Sequence, residues 1–217
     1  MMSGGRLFAG FAASGARRLL LSALILISFV SLPAQAENSE ILTLGTMAGP
    51  MANTERSQPA TLLRWHDGMI LVDAGGEYEM YASDITRTFP VNGKFTKEQL
   101  DIYNVVYEAN QKAIRAVVEG NNIMEPQKIS EKVIVRGLVD LGILKGDPDD
   151  LYNAGAHKEF YMHKVGHWLG LDVHDSGDYM ENGDFMFFKP GMVTTVEPGI
   201  YISSSAKVED RWKGIGI

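Results

Sequence analysis

Residues 71–90 read LVDAGGEYEMYASDITRTFP and place two aspartates, Asp73 and Asp84, eleven positions apart. That separation is too long for one typical strand, and Gly75 and Gly76 between the aspartates favour a turn. We therefore predict that Asp73 and Asp84 lie on adjacent strands and face one another. Two ionised carboxylates at close quarters repel, and they are costly to bury unless a cation compensates their charge. The pattern thus predicts a divalent metal site.

An ordinary structural role explains one of these aspartates better than the other. Asp73 precedes Ala74-Gly75, and a turn residue before a glycine would account for it as well as a metal ligand does. Asp84 interrupts the strand pattern of residues 81–86, and aspartate is uncommon in the middle of a strand.

The flanking sequence predicts further strands, separated by turn-forming residues. They cover residues 41–44, 61–65, 69–72, 80–90 and 193–196. The second and third are joined by His66-Asp67-Gly68, an Asp-Gly pattern typical of a tight hairpin. Further turns are predicted at Asn92-Gly93 and at residues 189–192.

Two helices are predicted between the strands. The first begins at Thr96, which forms a capping-box pair with Gln99, and it is expected to stop at Gly120. The second covers residues 130–141. Strands, two helices and then more strands indicate an α+β domain.

Residues 161–175 read YMHKVGHWLGLDVHD and hold three of the five histidines of the chain. His163 and His167 have the i, i+4 spacing of a zinc-binding helix. However, Lys164 stands where that motif has its glutamate, and two glycines weaken a helix here. The sequence therefore argues against a zinc helix, whereas three histidines with two aspartates nearby favour a functional site of another kind.

One more carboxylate, Glu197, follows the predicted strand 193–196. A glutamate at the end of a buried strand needs a partner. A side chain that reaches solvent from the strand end would explain it equally well.

Composition excludes several classes of function. The chain has 217 residues, no cysteine and a net charge of −7. Thiolate metal sites, disulfides and cysteine nucleophiles are therefore excluded. No basic block is present, and an acidic chain is repelled by phosphates, so nucleic acid is not an expected partner.

Residues 1–36 resemble an export signal. Three arginines and no acidic residue precede Glu37, residues 19–30 form an apolar run, and Ala34-Gln35-Ala36 has the form of a cleavage site. We expect a periplasmic or secreted protein if the signal is real. An uncleaved anchor or a misplaced start codon would also explain this segment.

The motifs together resemble the pita-bread metallopeptidases and, within them, the aminopeptidase P (Xaa-Pro aminopeptidase) family. The matching segments are residues 71–78, 81–90, 162–175 and 196–201, within a match that runs over residues 69–217. Several long motifs in the right order make the resemblance specific.

The resemblance implies a site with two divalent metal ions, usually manganese. Its ligands would be Asp73, Asp84, His167 and Glu197, with Asp84 bridging both ions. His163 and His174 would contact the substrate and assist proton movement, and the motif places Tyr201 with them at the substrate site.

The implied activity is release of the N-terminal residue from peptides with proline at the second position, by metal-activated water. The family also implies a homo-oligomer and a cytoplasmic location, the alternative to export.

The chain departs from the family pattern at both ends, so the resemblance implies a pita-bread fold that is incomplete there. In the family, a run like residues 213–217 leads into Arg-x-Glu-Asp, whose glutamate is a second bridging ligand. We expect that ligand to be missing and the second metal to be held less tightly. A catalytically inactive remnant that binds metal or peptide without turnover is therefore the alternative function.

Residues 37–68 are atypical for the family. Residues 41–74 resemble instead the opening of a metallo-β-lactamase-like hydrolase, although the later His-x-His-x-Asp-His motif of that family is absent from the sequence. Two hypotheses stay open: a fusion at the strand ending in Asp73-Ala74-Gly75, or a divergent, truncated aminopeptidase P.

Overall fold

The structure is a computed structural model that describes residues 68–217 and, as backbone only, the strands at 40–43 and 60–64. The predicted export segment and the hairpin residues 65–67 lie outside these ranges. Within the described residues, no helix has both the length and the apolar character needed to cross a membrane.

A four-stranded antiparallel sheet carries the first aspartate. Its order is β1-β2-β3-β6, and the strands are β1 (Glu40–Thr43), β2 (Ala60–Arg64), β3 (Met69–Ala74) and β6 (Ile85–Pro90). The predicted hairpin is confirmed, since β2 and β3 pair antiparallel with Leu62 opposite Val72. β3 pairs with β6 so that Asp73 lies opposite Thr86.

The predicted continuous strand over residues 80–90 is wrong. A small hairpin of β4 (Glu77–Tyr78) and β5 (Tyr81–Ala82) precedes β6, and Ser83-Asp84 separates β5 from β6. The hairpin turn holds Glu79 and Met80 at φ of 49° and 72°. The interruption places Asp84 at the entrance of β6 rather than inside a strand.

Two long helices pack against one another, and Met69 at the start of β3 joins their core. The first, α1 (Lys97–Ala116), begins as predicted with a capping box between Thr96 and Gln99. It ends four residues before Gly120, and Gly120 lies beyond it at a φ of 82°. The second, α2 (Glu125–Asp140), starts five residues earlier than predicted, because Pro126 stands in its first turn, where a missing N–H is harmless.

The remaining elements are short. A third helix, α3, covers Pro148–Asn153, and 3₁₀ turns cover Ala156–Glu159 and Asp210–Trp212. A hairpin pairs β7 (Met180–Glu181) with β8 (Asp184–Phe185). The predicted turn at residues 189–192 is present, with the Met192 amide donating to the Lys189 carbonyl.

The core lies between the helices and the C-terminal segment. Main-chain bonds join Ile200 and Ile202 to Ile217 and Ile215 in an antiparallel pair. The side chains that fill the core are all almost fully buried: Met69, Ile102, Val106, Ala109, Ile134, Leu138, Phe160, Tyr161, Ile200, Ile202, Trp212, Ile215 and Ile217. This packing fixes the helices against the segments that carry the histidines and Glu197.

Candidate metal centre

The end of β3 and the start of β6 bring Asp73 and Asp84 together, as the sequence predicted. The Thr86 hydroxyl donates to Asp73 Oδ1 at 2.9 Å, which orients the Asp73 carboxylate. The Asp73 carboxylate is close enough to Asp84 to raise the pKa of the Asp84 carboxyl. The two aspartates therefore face one another across adjacent elements.

A close backbone approach between Gly75 and Ser83 makes this arrangement possible. A Cβ added at Gly75 would lie 1.6 Å from the Ser83 carbonyl oxygen, so no other residue fits without moving the backbone. The Ser83 hydroxyl also bonds both the amide and the carbonyl of Gly76. These contacts close the loop that leads from Asp73 to Asp84.

His167 and Glu197 lie on two extended segments that run antiparallel. Three main-chain bonds join them: Leu169 to Val193, Thr195 to His167 and Glu197 to Val165. The predicted strand over 193–196 is therefore wrong as a regular strand, because only an isolated bridge at Thr194 forms there. The predicted absence of a helix over residues 161–175 is confirmed.

Three ligand atoms converge at this point. Within the described residues, one group of Asp84, His167 and Glu197 has ligand atoms within 4.8 Å of one another. His167 Nε2 lies 3.2 Å from Asp84 Oδ2 and 3.1 Å from Glu197 Oε1. Asp84 and Glu197 are 113 positions apart in the sequence, and their carboxylates approach the same imidazole nitrogen.

The hydrogen bonds around the cluster fix its orientation. His167 Nδ1 lies 3.0 Å from the Trp168 carbonyl, which can only accept, so Nδ1 carries a proton and Nε2 is the ring atom that faces the carboxylates. The Thr195 hydroxyl donates to Glu197 Oε1 at 2.7 Å and accepts the His167 amide at 3.0 Å. Thr195 therefore holds both side chains through one oxygen.

The electrostatics of the cluster are those of crowded negative charge. The pKa of Asp84 is raised from 3.8 to about 6: burial is the largest cause, the neighbouring Asp73 and Glu197 carboxylates add to it, and His167 acts in the opposite direction. Within the described part of the chain, no lysine or arginine forms an ion pair with these three carboxylates. Carboxylates that face one another repel unless a proton or a cation lies between them.

This donor set fits a divalent cation. Two carboxylate oxygens and one imidazole nitrogen suit manganese or zinc better than a soft metal. Asp73, outside the three-residue cluster, adds a carboxylate beside Asp84. The residues that the sequence nominated as metal ligands are therefore together in space, and their role as ligands stays a prediction.

The three residues predicted to face the substrate surround the cluster. The rings of His167 and His174 lie 4.2 Å apart, edge to face, and His174 is exposed. His163 Nε2 lies 3.2 Å from the Tyr201 hydroxyl, and its Nδ1 lies 2.7 Å from the Lys164 carbonyl. Burial raises the pKa of Tyr201, with further contributions from Glu197 and Asp73, which keeps its hydroxyl protonated beside the cluster.

The residues that hold the candidate ligands in place are not predictable from the sequence motifs. Thr86, Ser83 and Thr195 each bond a ligand or the loop beside it. The only sequence pattern that points to one of them is the Thr-x-Glu spacing of Thr195 and Glu197, and that spacing alone is too common to be informative.

Comparison with known proteins identifies the class of this domain. The family described as Metallopeptidase family M24 matches residues 37–217. The chain therefore belongs to metallopeptidase family M24, which confirms the resemblance inferred from the sequence.

Individual relatives narrow the class. The Xaa-Pro aminopeptidase of Haemophilus influenzae is 48% identical over 180 residues, which cover 82% of this chain and 40% of the relative. The structure of Pseudomonas aeruginosa aminopeptidase PepP aligns with a TM-score of 0.69 at 45% identity, over 84% of this chain and 40% of that one.

A third relative was solved with substrate bound. A glutamate-to-alanine variant of Escherichia coli aminopeptidase P in complex with substrate aligns with a TM-score of 0.66 at 51% identity, over 70% of this chain and 34% of that one. The fold is therefore the α+β pita-bread fold. The chain spans between a third and two fifths of the length of these three relatives.

Proposed function

We propose that this chain carries the catalytic core of a metal-dependent aminopeptidase that releases the N-terminal residue of peptides with proline at the second position. The observation that supports the proposal most directly is the convergence of Asp84, His167 and Glu197 on one point, beside Asp73. Membership of family M24 and relatives named Xaa-Pro aminopeptidase support the reaction and the substrate class.

The proposed ligands are Asp73, Asp84, His167 and Glu197, for two divalent ions that we propose to be manganese. Such ions supply an activated water nucleophile and polarise the scissile carbonyl when bound. The protein side contributes a fixed geometry: Thr195 holds the Glu197 carboxylate and the His167 backbone at once. Asp84 is kept partly buried, where its charge is costly without a cation.

His163, His174 and Tyr201 are the proposed substrate-facing groups. The Lys164 carbonyl fixes the proton of His163 on Nδ1, so the Nε2 atom accepts the hydrogen bond of the Tyr201 hydroxyl. This pair holds a proton at a defined place beside the cluster. The hydroxyl oxygen of Tyr201 keeps its acceptor capacity in this arrangement, so it can accept a hydrogen bond from a substrate N–H.

Calorimetric titration of the purified chain with Mn²⁺, together with hydrolysis of an Xaa-Pro peptide, tests the proposal. We expect two binding events, as well as metal-dependent release of the N-terminal residue. A matched peptide with alanine in place of proline is the substrate control, and Asp84→Asn is the protein control. One low-affinity binding event without turnover would contradict the proposal and favour a remnant that binds without catalysis.

Two further proposals concern the whole protein. Residues 1–36 are proposed to direct export, because of their charge pattern and apolar run; recovery of the uncleaved chain in the cytoplasm would contradict this. A homo-oligomer is proposed on family grounds, and light scattering coupled to gel filtration measures it.

A further inference from the structure

The two extended segments that carry His167 and Glu197 lack the regular pairing of a sheet. Three main-chain hydrogen bonds connect them, but neither segment forms a regular β-strand. Ligand geometry at a metal site has to be held to within about 0.5 Å. Contacts from the rest of the domain must therefore supply the rigidity that a sheet would provide.

One such contact comes from Gln127 on α2. Its side chain is only 5% exposed, and its Oε1 accepts the Val165 amide at 2.5 Å. Its Nε2 donates to Glu131 Oε1 at 2.9 Å. A carboxylate only accepts and an amide N–H only donates, so these two bonds fix the orientation of the Gln127 amide. His157 Nε2 lies 3.4 Å from the same Glu131 oxygen.

The residue that Gln127 holds is the centre of the histidine segment. Val165 lies two positions from both His163 and His167. Its amide bonds Gln127, and its carbonyl accepts the Glu197 amide at 2.7 Å. Val165 thus connects α2 to the backbone of Glu197 through two hydrogen bonds.

A second amide side chain makes the equivalent contact from α1. Asn110 Nδ2 donates to the Val196 carbonyl at 2.8 Å, immediately before Glu197. Its Oδ1 accepts from Gln111 Nε2 at 3.2 Å, which orients the Asn110 amide as well. Each helix therefore sends one amide to one of the two ligand-bearing segments.

We propose that Gln127 and Asn110 are positioning residues that hold the His167 and Glu197 segments in register for metal binding. The proposal rests on the proposed metal ligands but not on turnover. Removal of groups that orient metal ligands typically weakens metal binding by about 10- to 100-fold. A purely structural role would lower stability and leave metal binding unchanged.

The test uses Gln127→Met, with Gln99→Met as its matched control. Gln99 is equally buried, at 3% exposure, and its side-chain oxygen accepts the Thr96 amide in a helix cap away from the cluster. Both changes remove a buried amide of the same size. We expect Gln127→Met to weaken Co²⁺ binding by about 10-fold or more and to shift the visible spectrum of the Co²⁺ protein, whereas Gln99→Met does neither.

A second readout needs no metal. Hydrogen exchange of the metal-free protein reports on the Val165 and Glu197 amides. We expect faster exchange at both in Gln127→Met and unchanged rates in Gln99→Met. Unchanged exchange at both amides, together with unchanged Co²⁺ affinity, would overturn the proposal.

Asn110→Ala is a milder variant that keeps the test decisive if Gln127→Met does not fold. Its control is Asn121→Ala, because Asn121 is also half-buried and caps the Ala116 carbonyl at 2.9 Å. We expect Co²⁺ affinity to fall in Asn110→Ala only, and equal affinities in the two variants would contradict the proposal. Absence of peptide cleavage in the unmodified chain would refute the proposed function but would leave these binding and exchange results unaffected.

Discussion

Asp84→Asn should stabilise the metal-free protein at pH 7 while it removes metal binding. Asparagine keeps the size of the side chain and removes the charge that burial and the Asp73 and Glu197 carboxylates disfavour. A pKa raised from 3.8 to about 6 corresponds to about 3 kcal/mol, at about 1.4 kcal/mol per tenfold change in the proton equilibrium. Solvent screening at a site open to water reduces this to about 1–2 kcal/mol.

The pH dependence gives the sign of the effect. Between 3.8 and about 6 the folded state binds a proton at Asp84 that the unfolded state does not bind, so this group makes the metal-free protein more stable as the pH falls through that window. Below pH 3.8 Asp84 is protonated in both states and no longer destabilises the fold. Above about pH 6 it is ionised in both states, and the full cost of the buried charge lowers the free energy of unfolding. In Asp84→Asn this component of the pH dependence disappears.

Thermal unfolding in the presence of a chelator, at pH 7 and pH 5, measures both quantities. The melting temperature of Asp84→Asn should exceed that of the unmodified chain by about 2–8 °C at pH 7, with a smaller difference at pH 5. Asp184→Asn is the control, because Asp184 is an exposed carboxylate on the β7–β8 hairpin. A melting temperature at pH 7 that is equal to or below that of the unmodified chain would refute the idea that crowded carboxylates destabilise the empty site.

Three other changes test separate contacts. Thr195→Val removes the hydroxyl that donates to Glu197 and should weaken Mn²⁺ binding by about 10-fold or more in calorimetry; Thr195→Ser, which keeps the hydroxyl, is its control, and equal losses in the two variants would count against the assignment. Gly75→Ala places a Cβ 1.6 Å from a backbone oxygen and should cost at least about 3 kcal/mol in urea unfolding, whereas Gly76→Ala, with its nearest atom at 4.0 Å, should be nearly neutral. Tyr201→Phe removes the donor to His163 and should lower kcat for an Xaa-Pro peptide with unchanged Mn²⁺ affinity; an unchanged kcat would remove Tyr201 from the substrate site.

Local sequence patterns predicted the elements whose ends are set by nearby residues. The start of α1 was predicted to the residue, because the Thr96–Gln99 capping box is a contact within one helical turn. The β2–β3 hairpin followed from an Asp-Gly turn between two apolar runs. The early start of α2 was missed, although Pro126 in its first turn was available as a pattern.

The errors lie where tertiary contacts override local preference. Residues 80–90 have the composition of one strand. However, the Ala82 amide donates to the Gly170 carbonyl, and β5 ends at Ala82 instead of running on into β6. Residues 193–196 have β-branched side chains, yet their main chain pairs with residues 165–169 in an irregular ladder. In both cases the bonding partners are far apart in the sequence, so no local pattern contains both of them.

The sequence by itself determined which residue types could form the centre. Asp73, Asp84, His167 and Glu197 stand in motifs that resemble those of the pita-bread metallopeptidases, and that resemblance implies a carboxylate–imidazole metal site. Each of these motifs consists of residues that are close together in the sequence, so it can be recognised without knowledge of the fold.

Only the tertiary structure decided how these residues are held. Gln127, Asn110 and Thr195 look ordinary in sequence, because a buried amide or hydroxyl has no periodicity and no fixed spacing from its partner. Their hydrogen bonds cross 38 and 86 positions for Gln127 and Asn110. Such contacts form only after the helices pack against the segments that carry His167 and Glu197, so the positioning of the centre is a property of the fold rather than of any motif.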